Sequence, residues 1–115
     1  MDAQLTFGNP SVVEIDCSLF EIRGCELYVK REDLIHPYVS GNKFRKLKYN
    51  LEVAREQDHN TLLTFGGAFS NHIAAVAAAG KELHFKTIGI IRGEELSGKI
   101  VDNPTLSFAR DYGME

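Results

Sequence analysis

Four cations stand within six positions of this chain, at Lys43, Arg45, Lys46 and Lys48, directly after a Ser-Gly-Asn turn in "VSGNKFRKLKYNL" (39–51). A lysine amine is a nucleophile only when neutral, and desolvation or neighbouring cations raise its neutral fraction. Lys43 opens the run, with Lys46 one turn further along the same face, so the pattern fits either a reactive amine or an ordinary solvated helix face. A second stretch, "GGAFSNH" (66–72), puts two glycines, a serine and an asparagine where an apolar strand ends and a helix begins. Free N–H groups and the positive end of the helix dipole favour an anion there. Ser70 and Asn71 can bond a ligand or simply cap the helix. No Gly-Lys-Ser/Thr follows and the Gly-x-Gly-x-x-Gly spacing is missing, which removes the phosphate-loop and dinucleotide readings.

The elements that must position these residues are legible from periodicity. "SVVEI" and "ELYVK" (26–30) read as short strands, and the rest of residues 1–25 is mixed. "REDLIHPYVSGN" reads as a loop. Phe44, Leu47, Leu51 and Ala54 then fall at helical spacing, predicting an amphipathic helix to about Gln57, capped by Ser40 or Asn42, with Lys48 and Glu52 as a weak pair. "TLLTFGG" (61–67) is a buried-looking strand, "SNHIAAVAAAGKEL" (70–83) a helix with an alanine-rich packing face, and "KTIGIIRG" (86–93) a second apolar strand. Together they make a βαβ unit with a right-handed crossover and a parallel sheet. Gly80 inside that helix predicts close packing. "NPTLSFARDYG" (103–113) has a full helix grammar: Asn103 as cap, Pro104 at the first position, Gly113 as the stop. A crossover helix normally delivers the chain to a further parallel strand, so the 115 residues read as the front part of a longer protein.

Composition narrows the function class. At 43% apolar residues a packed core is expected, and a formal net charge of −3 gives no sign of a nucleic-acid partner. The N-terminus lacks a basic region followed by an apolar run, and no stretch reaches membrane-spanning length. Cys17 and Cys25 match neither a zinc knuckle nor a redox pair; they read as reduced, packed thiols, and the expected location is the cytoplasm. His36, His59, His72 and His84 form no metal-ligand pattern, and His72 reads as a hydrogen-bonding residue at a helix start.

"KREDLIHPYVSGNKFRKLKYNL" followed by "LLTFGGAFSNHIAAVAAAGKEL" resembles the aminocyclopropane-carboxylate deaminase and D-cysteine desulfhydrase family, from about Leu27 to Gly93 and more weakly through "NPTLSFARDYGM". These are pyridoxal 5'-phosphate enzymes with the α/β, parallel three-layer sandwich fold of the tryptophan synthase β type (fold type II). The resemblance implies that Lys43 forms the Schiff base with the cofactor, that Asn71 bonds the pyridoxal 3′ oxygen and lies along the ring, and that Ser70 faces the substrate carboxylate or reacting carbon. It implies a small amino-acid substrate, aminocyclopropane-carboxylate or D-cysteine, converted to a keto acid and ammonia, and a homodimer. It further implies that residues 1–50 belong to the large cofactor domain and 51–115 to the small α/β domain. The phosphate loop and the group facing the pyridine nitrogen then lie in later chain, so this segment alone is expected to be incomplete, weakly folded and inactive. Ser40, Phe69 and His72-Ile73-Ala74 stand where many members have Gly, Gln and a Thr-Arg pair, all on the substrate side. The alternatives are a non-catalytic truncated remnant and a small anion-binding α/β module using residues 66–72.

Overall fold

Helical periodicity in the middle of the chain and two apolar strands flanking an alanine-rich stretch dictate what forms. The computed structural model describes residues 5–115. β1 (Val12–Glu14), α1 (Ser18–Arg23) and β2 (Tyr28–Lys30) come first, followed by α2 (Gly41–Glu56), β3 (Thr61–Gly67), α3 (Asn71–Leu83), β4 (Lys86–Arg92) and α4 (Pro104–Asp111). β1 and β2 pair antiparallel, with Val13 opposite Val29. β3 and β4 pair parallel from Thr61↔Lys86 to Gly67↔Arg92. After α4, Met114 bridges Thr87 in parallel on the other edge of β4: the Glu115 N–H donates to the Thr87 carbonyl at 3.0 Å and the Gly89 N–H to the Glu115 carbonyl at 2.8 Å. α4 therefore delivers the chain alongside β4 as the crossover reading requires. Successive crossovers in one direction place their helices on one face of the sheet, and α3 and α4 pack on each other.

Each helix follows from its residues. Phe44, Leu47, Leu51 and Ala54 are the buried residues of α2, as their spacing predicts. Ser40 occupies the cap position of α2 without a side-chain bond, and Gly41 begins the helix at φ +58, a conformation open to glycine. Ser70 caps α3, accepting from the Ile73 N–H at 3.4 Å, and Asn103 caps α4, accepting from the Leu106 N–H at 2.9 Å. The expected Lys48–Glu52 pair does not form: the Lys48 ammonium lies over the Tyr49 ring, 5.1 Å from its centroid. The connection at 94–102 holds two short 3₁₀ turns, and a third spans Glu32–Leu34. α1 was not foreshadowed; Leu19 and Ile22 on it are exposed, so it has no buried stripe to betray it. Cys17 and Cys25 are free thiols, and Cys25 is exposed rather than packed.

The core lies between α2, α3, α4 and the inner face of the sheet. Ala75, Val76, Ala77, Ala78 and Ala79 are buried in it, which bears out the packing reading of the alanines. The domain boundary expected after residue 50 falls inside α2, whose buried residues on both sides of that point enter this one cluster. The sheet's outer face is open: Leu63 is 58% exposed, Phe65 67% and Ile90 49%. Apolar strands of a parallel sheet are ordinarily covered on both faces, and here helices cover one. The molecule is a slab of 52 × 40 × 18 Å. Its radius of gyration is 17.7 Å, against about 13 Å for a compact domain of this length. Its accessible surface is 8182 Å², against about 6300 Å² for a compact protein of the same mass.

Gly80 is where α3 comes closest to the sheet. A methyl group there would collide with Thr87 Cγ2 and stand 3.3 Å from the Phe85 carbonyl oxygen. Replacing glycine by alanine in a helix ordinarily gains about 1 kcal/mol; overpacking costs about 1–3 kcal/mol. Because Thr87 is 3% exposed and β-branched, it cannot swing aside, and the steric cost should win. Gly80→Ala is therefore expected to lower stability in urea denaturation by about 1 kcal/mol or more, and Thr87→Ser in the same molecule to restore part of the loss. A stabilised single variant would refute this packing.

Candidate functional site

The C-terminal ends of parallel strands and the helix starts that follow them are where such sheets carry ligands. β3 ends at Gly67, and α3 begins at Asn71 after the turn held by Ser70. The two glycines of that turn differ. Gly66 is filled against: a Cβ there would stand 2.6 Å from Ile73 Cγ1 and 3.1 Å from Ser70 Oγ, so its role is helix–strand contact. Gly67 meets only the Arg92 guanidinium, at 3.8 Å.

Facing this turn is the start of α2. Lys43 and Asn71 line one open groove of about 850 Å³, together with Ser40, Asn42, Tyr38, Thr105 and Phe108. Lys43 is half-buried and Asn71 exposed. Ser70 is not among the groove's lining residues; its hydroxyl oxygen is engaged with the Ile73 N–H. The structure thus brings Lys43 and Asn71 together and leaves Ser70 as the cap beside them. Phe69, next to Ser70, is largely exposed.

The four cations have separate fates. Arg45 makes a two-pronged contact with Glu32, at 2.7 and 3.2 Å, and Lys30 reaches the same carboxylate at 3.2 Å. Hydrogen bonds from Arg45 first, then Lys30, hold the Glu32 carboxyl down at about 2. Lys48 lies over the Tyr49 and Phe7 rings. Lys46 lines a second groove, between α2 and β3, with Asn50, Thr64 and His72. Lys43 forms no ion pair among the described residues. His72 is hydrogen-bonded to the Thr64 hydroxyl at 3.0 Å, in line with its reading as a bonding residue. Burial pushes its imidazole below the usual value, and the charges of Lys43 and then Lys46 push it further down. The Lys43 charge is therefore felt at the start of α3.

Several residues at the site have no local signature in the sequence. Tyr38 packs on Phe108 and Tyr112, with ring centroids 5.3 and 5.5 Å away, and forms one wall of the Lys43 groove. A hydrogen bond with Tyr38 pushes the Tyr112 phenol up. Pro104 and Thr105 bring the start of α4 to the same groove. Only their helix-start grammar was readable, and it speaks of capping rather than of binding.

No family model matches the chain. A bifunctional D-cysteine desulfhydrase/1-aminocyclopropane-1-carboxylate deaminase of Arabidopsis thaliana, mitochondrial by its name, is 40% identical over 73 residues, covering 64% of this chain and 18% of that protein. A D-cysteine desulfhydrase of Salmonella paratyphi B is 32% identical over 105 residues, covering 91% of this chain and 29% of the relative. A crystal structure of an ACC deaminase homologue superimposes with a TM-score of 0.77 at 27% identity, covering 99% of this chain and 33% of that one. This chain accordingly spans less than a third of the length of the curated relatives named here. In sequence and in fold the chain is similar to a part of the aminocyclopropane-carboxylate deaminases and D-cysteine desulfhydrases.

Proposed function

We propose that this chain is the N-terminal part of a pyridoxal-phosphate-dependent deaminase or desulfhydrase acting on a small amino acid, with Lys43 as the residue that binds the cofactor covalently. The observation that carries this reading is the meeting of Lys43 and Asn71, far apart in the chain, across one open groove at the C-terminal end of a parallel strand. The donor set fits one end of the cofactor: an amine without an ion-pair partner for the aldehyde, and an exposed amide for the neighbouring ring oxygen. Residues to hold the phosphate and face the ring nitrogen would come from the rest of the polypeptide.

Bound pyridoxal phosphate supplies an electron sink for charge developing beside the substrate's amino carbon. Lys43, displaced by the substrate amine, would be free to take or return a proton at that carbon. Asn71, on the first turn of a helix packed by alanines, would orient the ring. Ser70, held in its capping bond, would present its hydroxyl side to the substrate from a fixed position. Opening of a cyclopropane C–C bond, or loss of sulfide from D-cysteine, would leave an enamine that tautomerises to an imine, and one water would hydrolyse that imine to a keto acid and ammonia. The protein is expected to work as a homodimer in the cytoplasm.

The open sheet face and the exposed apolar residues of β1, α1 and β2 support the view that further polypeptide covers them, with residues 1–50 packing in a large domain and 51–115 in a small one. The 115-residue chain by itself would then be inactive.

In the full-length protein, Lys43→Ala should abolish the yellow, borohydride-reducible adduct formed with pyridoxal phosphate; an unchanged adduct would defeat the assignment. A second measurement needs no cofactor. The His72 Cε1 proton should titrate below an ordinary imidazole, and Lys43→Met should move its midpoint upward, because a cation that disfavours imidazolium is gone. With a folded-state value below the unfolded one, His72 opposes folding in acid: its penalty is absent above the unfolded midpoint and grows as pH falls toward the lowered one. Lys43→Met should therefore also flatten the acid limb of the stability curve. A midpoint unmoved by the substitution would show that Lys43 does not face His72.

A further inference from the structure

His36 is 6% exposed, at the start of the turn that leads to Gly41 and Lys43. All of its polar capacity is used. The backbone N–H groups of Tyr38 and Val39 both donate to its Nδ1, at 3.1 and 2.9 Å. Its Nε2 stands 3.0 Å from Glu82 Oε2, on the last turn of α3. Two donors aimed at Nδ1 require a lone pair there, so the ring proton is on Nε2 and is donated to the Glu82 carboxylate. The imidazole is thereby a fixed strut with the turn at one end and α3 at the other. Val39, held through its N–H, is completely buried, and Tyr38, held likewise, forms a wall of the groove. Beyond Val39 come Ser40, which makes no side-chain capping bond, and Gly41, which imposes no side-chain constraint. The start of α2 is thus held from within by buried Phe44 and the Arg45–Glu32 pair, and from upstream by the bonds into His36.

We propose that His36 is a positioning residue: through Nδ1 it shapes the turn before α2, through Nε2 it ties that turn to α3, and it thereby sets where Lys43 enters the groove shared with Asn71. The significance for catalysis rests on the cofactor reading above; the positioning itself does not. A buried histidine that merely fills space would be replaced equally well by any ring of its size, whereas a strut depends on which atoms are retained. Asparagine places its Oδ1 near the position of Nδ1 and can accept from the same two N–H groups. Phenylalanine fills the volume and accepts nothing.

The test compares His36→Asn with His36→Phe in the full-length protein, by three readouts. Amide exchange at Tyr38 and Val39 should accelerate about tenfold or more in the phenylalanine variant and stay within about threefold of the parent in the asparagine variant. The His72 midpoint, which reports the Lys43 charge, should rise in both variants, because each lacks the Nε2–H that ties the turn to Glu82. Borohydride trapping of pyridoxal phosphate on Lys43 should slow about tenfold in both, since a displaced nucleophile loses effective concentration. Equal exchange in the two variants would overturn the strut, as would a His72 midpoint that stays at the parent value in both. If the parent protein itself traps no cofactor, the pyridoxal-phosphate reading falls, while exchange and titration still decide the role of His36.

Discussion

Ile73 seated on Gly66 and Thr87 set against Gly80 fix α3 along the β3–β4 pair near its two ends. Both contacts depend on a missing side chain, one on the strand and one on the helix. They draw the helix close enough to the sheet that Ala75, Ala77, Ala78 and Ala79 are all buried without large side chains to fill a gap. At this separation the helix has little freedom to slide, because a shift of a fraction of a turn would set Thr87 against alanine methyl groups. The position of Asn71 is a consequence, since it is the first residue of a helix whose axis is already settled. α2 packs on one part of this helix and α4 on another, so the groove is bordered by elements that all refer to the same axis.

The charge arrangement follows from the same placement. A helix carrying Lys43, Arg45, Lys46 and Lys48 within little more than one turn would strain its own electrostatics if all four faced one way. The fold separates them. Glu32 takes up Arg45 as well as Lys30, aromatic rings receive Lys48, and Lys46 turns to the groove holding Thr64 and His72. Near the start of α3, burial first and then the charges of Lys43 and Lys46 push the His72 imidazole below its ordinary value. Arg45, neutralised by its own carboxylate, is not an equal contributor. The four cations therefore divide into two lysines that line grooves and two cations engaged by a carboxylate or by aromatic rings.

How much of this the residues disclose depends on how local the cause is. Four apolar positions at helical spacing over-determine α2, and all four are buried. The strand–helix–strand order, the Asn103 cap and the Pro104 start of α4 are likewise written in neighbouring residues. The outer face of the sheet is different: β3 and β4 read as buried because Leu62, Leu63, Phe65, Ile88, Ile90 and Ile91 put apolar side chains on both faces, yet such a pattern cannot say whether this chain supplies both covers. α1 shows the converse, a helix whose apolar residues remain exposed and so leave no one-sided stripe. At the site, the approach of Lys43 to Asn71 has no local signature; the expectation that they act together came from likeness to a family. His36 was unreadable for the same reason, since its partner Glu82 is 46 residues away and nothing in "HPY" points to it.

The two sides of the groove are built differently, and the proposed chemistry gives a reason. An amide that orients a planar ring must not move, and Asn71 sits on a helix locked by side-chain-free contacts to a sheet. Lys43, on the proposed reading, would have to exchange the cofactor for a proton while staying nearby. It is in the first turn of a helix that begins with a glycine at positive φ and has no side-chain cap. The buried Val39 and the two N–H bonds into His36 hold the chain just upstream. The proposed division of labour is a tightly seated support beneath the orienting group and a lightly capped one, anchored at His36, beneath the reacting amine.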